Sequence, residues 1–193
     1  MYEFIKGKVS ELTPAYAIVE TNGIGYLLNI SLNSYSALQN KPEATLYTHL
    51  SVREDAHVLF GFASTTEREM FRLLISVSGV GPNTARMMLS SMAPAEVKRA
   101  ISNEDVNTLK SIKGIGAKSA QRIIIDLKDK ISLSDEDEQI VTPANNTLRN
   151  EALSALEVLG FAKKNAEKAI DKLIFADPEI SVEGLIKKAL KIL

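Results

Sequence analysis

Apolar and polar residues alternate over short segments in residues 1–63, a pattern typical of β-strands. Five segments are rich in β-branched and aromatic residues, and they read EFIKGKV, AYAIVE, GYLLNI, TLYTHLSV and HVLFGF. Turn signals such as Thr13-Pro14 and Asn22-Gly23 separate neighbouring segments. Five short strands in succession predict a small β-barrel over residues 1–63.

After Phe62 the apolar residues take the spacing of amphipathic helices. Ser64 to Glu67 fits a capping box, and the following EREMFRLLISV has helical apolar spacing. Pro82 and Pro94 stand where a first helical turn would begin, a position that proline favours. We therefore expect helices joined by short turns from residue 64 to residue 131.

Residues 132–147 interrupt the helical pattern. The stretch SLSDEDEQIVTPANN combines an acidic run with Ser, Pro and Asn, which predicts a flexible linker, with an ordinary surface loop as the alternative. Residues 148–193 then hold three amphipathic segments, and the first of them ends at Gly160, a residue suited to a helix C-terminus. This region is predicted to form a three-helix bundle.

The charges are distributed unevenly along the chain. The 193 residues carry a net charge of −1, yet residues 66–130 hold 11 of the 23 Lys and Arg residues and only 7 of the 24 Asp and Glu residues. The positive excess therefore falls on the helical middle region, where it favours a nucleic-acid partner.

The composition also excludes several kinds of site. There is no cysteine, which excludes a disulfide framework, a thiolate nucleophile and a cysteine zinc site. The N-terminus lacks the apolar core of a secretory leader, and no apolar run approaches the roughly 18 residues of a membrane span. We expect a cytoplasmic protein with no membrane partner.

The middle region contains an internal repeat. The sequence SGVGPNTARM at 78–87 is followed 35 residues later by KGIGAKSAQR at 113–122, and both place Gly-x-Gly before a predicted helix. The aligned pairs are Leu74/Leu109, Ser76/Ser111, Val77/Ile112, Gly79/Gly114, Val80/Ile115, Gly81/Gly116 and Ala85/Ala120. Two copies are too few for a helical solenoid, so a pair of helix-turn-helix units fits better.

Two interpretations of the paired glycines fail on their neighbours. A phosphate-cradling P-loop needs Gly-Lys-Ser/Thr after a strand, but Ala117 precedes Lys118 and the upstream segment is helical. A dinucleotide fingerprint needs a third glycine, where Thr84 and Ser119 stand instead. Two interpretations stay open: a glycine turn that only joins packed helices, and a helix-hairpin-helix whose backbone N–H groups face a phosphate.

The helix-hairpin-helix interpretation accounts for more of the surrounding residues. Small polar side chains and cations follow each turn, and an apolar residue between the glycines can anchor the turn in the core. Two such hairpins would bind backbone phosphates without reading base edges. The predicted DNA-binding residues are Gly79, Val80, Gly81, Asn83, Thr84, Arg86, Gly114, Ile115, Gly116, Lys118, Ser119 and Arg122.

The sequence Arg53-Glu54-Asp55-Ala56 joins two predicted strands, so both carboxylates should lie at the tip of a hairpin. A solvated turn is the simplest interpretation. The alternative is a divalent-metal site of a nuclease, with His49 or His57 nearby, but we find no further acidic cluster to complete it. We therefore expect no metal site, no catalytic residue and no cofactor.

The stretches THLSVREDAHVLFGF, LLISVSGVGP and LKSIKGIGAKSAQRIIIDLKDK, followed by an acidic linker and a helical bundle, resemble the RuvA family over the whole chain. These proteins are the subunits that recognise Holliday junctions in bacterial branch migration. The resemblance implies an α+β multi-domain fold: an N-terminal five-stranded OB-type β-barrel, a tandem helix-hairpin-helix middle domain and a C-terminal three-helix bundle. Asn83 departs from the family pattern, in which we expect lysine at this position in many members.

The same resemblance implies an assembly. It predicts a homotetramer with fourfold symmetry, either alone or as two tetramers face to face, on four-way junction DNA. Glu54 and Asp55 would form an acidic pin at the centre, where they repel phosphates. The implied partners are the hexameric RuvB ATPase and, as a further candidate, the RuvC resolvase. The chain has no Walker motif, so the motor activity is expected to come from RuvB.

The terminal bundle is expected to dock this motor. Its predicted docking residues are apolar, and they are Leu156, Leu159, Phe161, Leu185 and Leu190. The alternative is that all five residues belong to the bundle core. The sequence Leu159-Gly160-Phe161 also resembles the loop of ubiquitin-associated domains, which raises a protein adaptor as a further function class.

Overall fold

A computed structural model describes residues 2–136, 145–177 and 180–193, with side chains for residues 2–131, 148–177 and 180–193. The chain divides into two compact units, residues 1–137 and residues 138–193. None of the helices in the described ranges is long and apolar enough to cross a membrane.

The first unit begins with a closed five-stranded barrel, as predicted. The strands are β1 (Phe4–Leu12), β2 (Tyr16–Thr21), β3 (Ile24–Asn29), β4 (Glu43–Val52) and β5 (His57–Phe62), and they close in the order β1-β2-β3-β5-β4. The pairs are antiparallel except β3 with β5, which are parallel and meet at Asn29 and Phe60. Asn22 and Gly23 both have positive φ, which confirms the tight turn between β2 and β3.

One helix of the barrel region was not predicted. Helix α1 (Leu32–Leu38) fills the connection between β3 and β4, and Ser31 caps it by accepting a hydrogen bond from the Ser34 amide at 3.0 Å. The segment SLNSYSALQN has only a weak helical spacing of apolar residues. Its capping residue, Ser31, was therefore the one sequence feature that indicated a helix here.

Five helices complete the first unit: α2 (Thr65–Ile75), α3 (Pro82–Ser91), α4 (Pro94–Ser102), α5 (Val106–Lys110) and α6 (Ala117–Glu136). Pro82 and Pro94 occupy first helical turns, as predicted. The helices share a core with the barrel, because Phe62 of β5 packs on Phe71 of α2 with ring centroids 4.8 Å apart. The barrel and the helical region, treated as separate domains from the sequence, therefore form one compact unit.

The predicted capping box at the start of α2 is only half formed. Ser64 Oγ accepts a hydrogen bond from the Glu67 amide at 3.1 Å, as expected for an N-cap. The Glu67 side chain, however, is buried and accepts hydrogen bonds from the hydroxyls of Ser31 and Ser34 at the start of α1. Burial raises the pKa of Glu67, and the two serine hydrogen bonds oppose this shift. Through these hydrogen bonds, Glu67 links α2 to the start of α1.

The segment expected to be a linker is helical at both ends. Helix α6 continues to Glu136, and α7 begins at Asn145. The remaining part of the predicted linker, residues 137–144, lies outside the described residues. The run of Ser, Asp and Glu residues hid the continuation of α6, because the apolar period that marked the helix ends at Ile131.

The second unit is the predicted three-helix bundle, with α7 (Asn145–Val158), α8 (Lys163–Ala176) and α9 (Val182–Ala189). Its core contains Leu156, Ile170 and Leu185, which are fully buried. Gly160 has a φ of +94° and ends α7, as predicted for a C-terminal glycine.

Candidate nucleic-acid interface

The two Gly-x-Gly copies form turns with the same backbone geometry. We call residues 76–81, between α2 and α3, the first hairpin, and residues 111–116, between α5 and α6, the second hairpin. Gly79 has a φ of +91° and Gly114 a φ of +92°, a conformation that other residues rarely adopt. The Val80 amide donates to the Val77 carbonyl and the Ile115 amide to the Ile112 carbonyl, both at 3.0 Å.

The residue between the glycines anchors each hairpin. Val80 and Ile115 are each 5% exposed and belong to the main core of the first unit. Their side chains therefore cannot reach a ligand, and each can contribute to binding only through its backbone. Anchoring both turns in one core holds the two hairpins on one compact unit.

The second glycine of each hairpin faces open space. A Cβ atom built on Gly81 or Gly116 would meet no atom within 4 Å, and neither residue has a positive φ. The fold alone thus leaves room for a side chain at both positions. Gly81 is the N-cap of α3 and supplies no side-chain acceptor, so the first N–H groups of this helix are not satisfied by a cap.

The polar and charged residues at the starts of α3 and α6 differ in kind and in exposure. Asn83, Lys118 and Arg122 are exposed, while Thr84 and Ser119 are half-buried. Arg122 has one carboxylate neighbour, Asp126, at a loose 3.9 Å. The start of α6 therefore has two exposed cations, and Lys113 within the second hairpin is a third.

Arg86 has contacts with the barrel that its position in the repeat did not predict. Its Nη1 donates to the carbonyl of Ala15 at 2.9 Å and to Oδ1 of Asn29 at 3.3 Å. Nη1 of Arg86 therefore links α3 to the barrel, and the predicted phosphate contact of this residue stays a prediction. Sequence spacing could not show this, because the Ala15 carbonyl lies 71 residues away along the chain.

The acidic turn, residues 53–56, joins β4 to β5 at one end of the barrel. Glu54 and Asp55 are exposed, and the Arg53 amide closes the turn by donating to the Ala56 carbonyl at 2.9 Å. The turn adjoins the first hairpin, since Arg53 and Asp55 line a cavity of about 80 Å³ together with Pro82 and Asn83. The Asp55 side chain and the start of α3 therefore lie side by side.

The two histidines near this turn do not form a metal site with it. His49 packs edge-on against Phe71 at 5.3 Å, and burial, with a smaller effect from Arg72, lowers its pKa. His57 is exposed at the start of β5. Across the part of the chain that the structure describes, no group of three or more His, Cys, Asp or Glu residues could hold a metal ion.

The docking residues predicted in the second unit separate into buried and exposed ones. Leu156 and Leu185 are fully buried in the bundle core, so their predicted docking role is wrong. Leu159 is 58% exposed and Leu190 43%, while Phe161 is partly buried against the core. Leu156 follows the core residues Ala152 and Leu153 by four and three positions, so the three share a helix face. This spacing in the sequence already indicated that Leu156 faces the bundle core.

Two strongly exposed apolar residues of this unit were missed. Val158 is 85% exposed and Phe175 is 91% exposed. Val158 lies with Leu159 at the end of a groove along α7 whose other lining residues are Asn150, Glu151, Ser154 and Ala155. Val158 and Phe175 make the end of α7 and the end of α8 more apolar at the surface than the sequence predicted.

Comparison with known families covers nearly the whole chain. Residues 1–61 match the RuvA N terminal domain, residues 71–129 the SAM-like helix-hairpin-helix tandem, and residues 147–193 the RuvA C-terminal domain. A relative in Christiangramia forsetii, named Holliday junction branch migration complex subunit RuvA, is 53% identical over 99% of both chains. The chain belongs to the RuvA family.

Further relatives support the same family assignment. Proteins of the same name in Flavobacterium psychrophilum and Parabacteroides distasonis are 49% and 48% identical, over 99% and 100% of both chains. The family assignment and the fold expected from the sequence are thereby confirmed. The nuclease alternative receives no support from these relatives, which are named as subunits of a branch migration complex.

Proposed function

We propose that this protein recognises four-way junction DNA and holds it for branch migration in recombination and repair. The observation that carries the proposal is the open space in front of Gly81 and Gly116. A glycine that the fold does not require, at a helix start with no capping side chain, leaves room for a phosphate close to backbone N–H groups. The same arrangement occurs twice in one unit.

The hairpins recognise the DNA backbone and leave the bases unread. Val80 and Ile115 are buried, and the exposed groups of the hairpins and of the helix starts after them are N–H groups, small polar side chains and the cations Lys113, Lys118 and Arg122. These groups bind phosphate oxygens, which carry no sequence information. Binding should therefore depend strongly on salt and on the shape of the DNA, and little on its sequence.

Preference for a junction comes from the acidic turn. In a homotetramer, four copies of Glu54 and Asp55 would lie near the symmetry axis, where the four DNA strands cross. Their charges repel phosphates there while the hairpins bind the duplex arms further out. A continuous duplex would have to pass over the acidic centre, whereas an open junction places its phosphates around it.

The protein itself is non-catalytic in this proposal, and the RuvB ATPase supplies the motor. The docking surface is the groove on α7, with Val158 and Leu159 as its apolar contacts, in place of the buried Leu156 and Leu185. A chain ending after Glu136 keeps helix α6 intact and removes the bundle. It should bind junctions at parental strength and fail to stimulate the ATPase. Full stimulation by this truncated chain would contradict the docking role.

The experiment that tests the DNA-binding proposal is a gel shift that compares a synthetic four-way junction with linear duplex of equal length, at moderate salt with Mg²⁺. We expect a strong preference for the junction and no cleavage. Equal affinity for both DNAs would refute junction recognition. Nicked product would show a nuclease instead.

A further inference from the structure

The two hairpins differ in their cations. Asn83 occupies the position in the first hairpin repeat that Lys118 occupies in the second, since each follows its Gly-x-Gly by two residues. Arg86 is the one cation within residues 76–91, all of which the structure describes, and it is bound to the barrel through Ala15 and Asn29. The first hairpin therefore has the phosphate-binding backbone without a cation of its own.

A cation from another element lies beside this position. Arg53, in the acidic turn, lines the cavity of about 80 Å³ that Asn83 and Pro82 line from the start of α3. Strand β5 packs into the same core as the first hairpin, through Phe60 and Val80, so the turn and the hairpin are parts of one compact unit. Arg53 is thus held close to Asn83, the residue equivalent to Lys118 of the second copy.

The Arg53 side chain is available for a ligand. It is exposed, and it forms no hydrogen bond or ion pair with any residue that the structure describes, although Glu54 and Asp55 follow it directly. Its structural contribution to the turn comes from the backbone, whose N–H donates to the Ala56 carbonyl. The guanidinium can therefore be removed without removing the hydrogen bond that closes the turn.

We propose that Arg53 supplies the cation of the first hairpin and binds the DNA phosphate held by the start of α3. Asp55 lines the same cavity, and its charge would otherwise repel a phosphate at this point. Arg53 offsets that repulsion, so the turn attracts DNA on the side of the hairpin and repels it at the tip. This assignment rests on the proposed function of the hairpins.

The test measures junction affinity for Arg53→Gln at several salt concentrations, by fluorescence anisotropy with the full-length protein. Arg53→Gln should weaken binding about tenfold or more and reduce the salt slope by about 0.9 for each subunit that engages DNA. Lys41→Gln is the matched control. Lys41 is exposed just before β4, at the opposite end of this ten-residue strand from Arg53, and its loss should leave affinity unchanged.

A rescue variant distinguishes a phosphate contact from a change in the shape of the turn. Adding Asn83→Lys to Arg53→Gln places a lysine where the second hairpin has Lys118, and it should restore affinity to within about threefold of the parent. Failure of this rescue, or parental affinity of Arg53→Gln, would overturn the assignment.

Lys118→Gln, measured in parallel, keeps the two proposals distinguishable. If Lys118→Gln weakens binding and Arg53→Gln does not, only the role of Arg53 is wrong. If neither variant weakens binding, the proposed roles of Arg53 and of Lys118 are both wrong.

Discussion

A single added methyl group at Gly81 or Gly116 should separate the fold of a hairpin from its contact with DNA. Gly81 has φ −81° and ψ 165°, which alanine adopts freely, and the new Cβ atom would meet nothing within 4 Å at either position. Reduced entropy of the unfolded chain stabilises such an alanine by about 0.4–1 kcal/mol, while alanine as an N-cap costs a similar amount. The free energy of unfolding should therefore change by less than about 1 kcal/mol.

The effect on binding should be much larger. The methyl group would occupy the space next to the N–H groups at the helix start and keep a phosphate from them. Hydrogen bonds to charged groups contribute about 1.5–3 kcal/mol, so each affected hairpin should lose roughly 10- to 150-fold in affinity. Gly79 and Gly114 are less suitable for this test because their positive φ makes any substitution strained, so a bulky residue there should weaken binding and folding together.

The assay combines a thermal melt with a fluorescence-anisotropy titration of a labelled four-way junction. Ser10→Thr, which adds a methyl group at an exposed position of β1, serves as the control and should leave both measurements unchanged. The melting temperature of each alanine variant should stay within about 2–4 °C of the parent. Parental junction affinity in Gly81→Ala and Gly116→Ala would refute the phosphate contact and leave the hairpins as packing turns.

Three further variants test the charges. Lys118→Gln and Arg122→Gln should each weaken junction binding and reduce the salt slope by about 0.9 per lost contact; a slope equal to the parent's would exclude a phosphate contact. Glu54→Gln combined with Asp55→Asn should raise the affinity for linear duplex and so lower the preference for junctions, and an unchanged preference would contradict central repulsion. Burial raises the pKa of Glu67, so the folded state binds this proton more tightly than the unfolded chain. The resulting stabilisation is complete at pH values below the pKa of Glu67 in the unfolded chain. It is lost as pH rises through the pKa of Glu67 in the folded protein. The free energy of unfolding of the parent, relative to Glu67→Gln, should therefore fall as pH rises above the ordinary glutamate pKa of about 4.3 in urea titrations; a constant difference would refute the shift.

The hairpins could be predicted from the sequence because their determinants are local. Positive φ at Gly79 and Gly114 and proline in the first turn of α3 are properties of a few adjacent residues. The apolar residue between the glycines followed from the same local pattern. A repeat also gives two independent observations of one motif, which made the pattern stronger than either copy alone.

The remaining features depend on contacts between distant segments. The bond from Arg86 to the Ala15 carbonyl, the burial of Glu67 against α1, and the position of Arg53 beside Asn83 each join segments that are far apart in sequence. No local spacing encodes such contacts, so the sequence could not predict that Arg86 contacts the barrel or that Arg53 lies beside Asn83. Tertiary packing decides which cations are available for binding.

A structure of the protein bound to a four-way junction would show whether backbone N–H groups of both hairpins hold DNA phosphates. We expect phosphate oxygens within about 2.7–3.2 Å of backbone nitrogens at the starts of both α3 and α6, with no side chain reading base edges at these points. DNA bound to another face of the first unit, with the space before Gly81 and Gly116 empty, would contradict it.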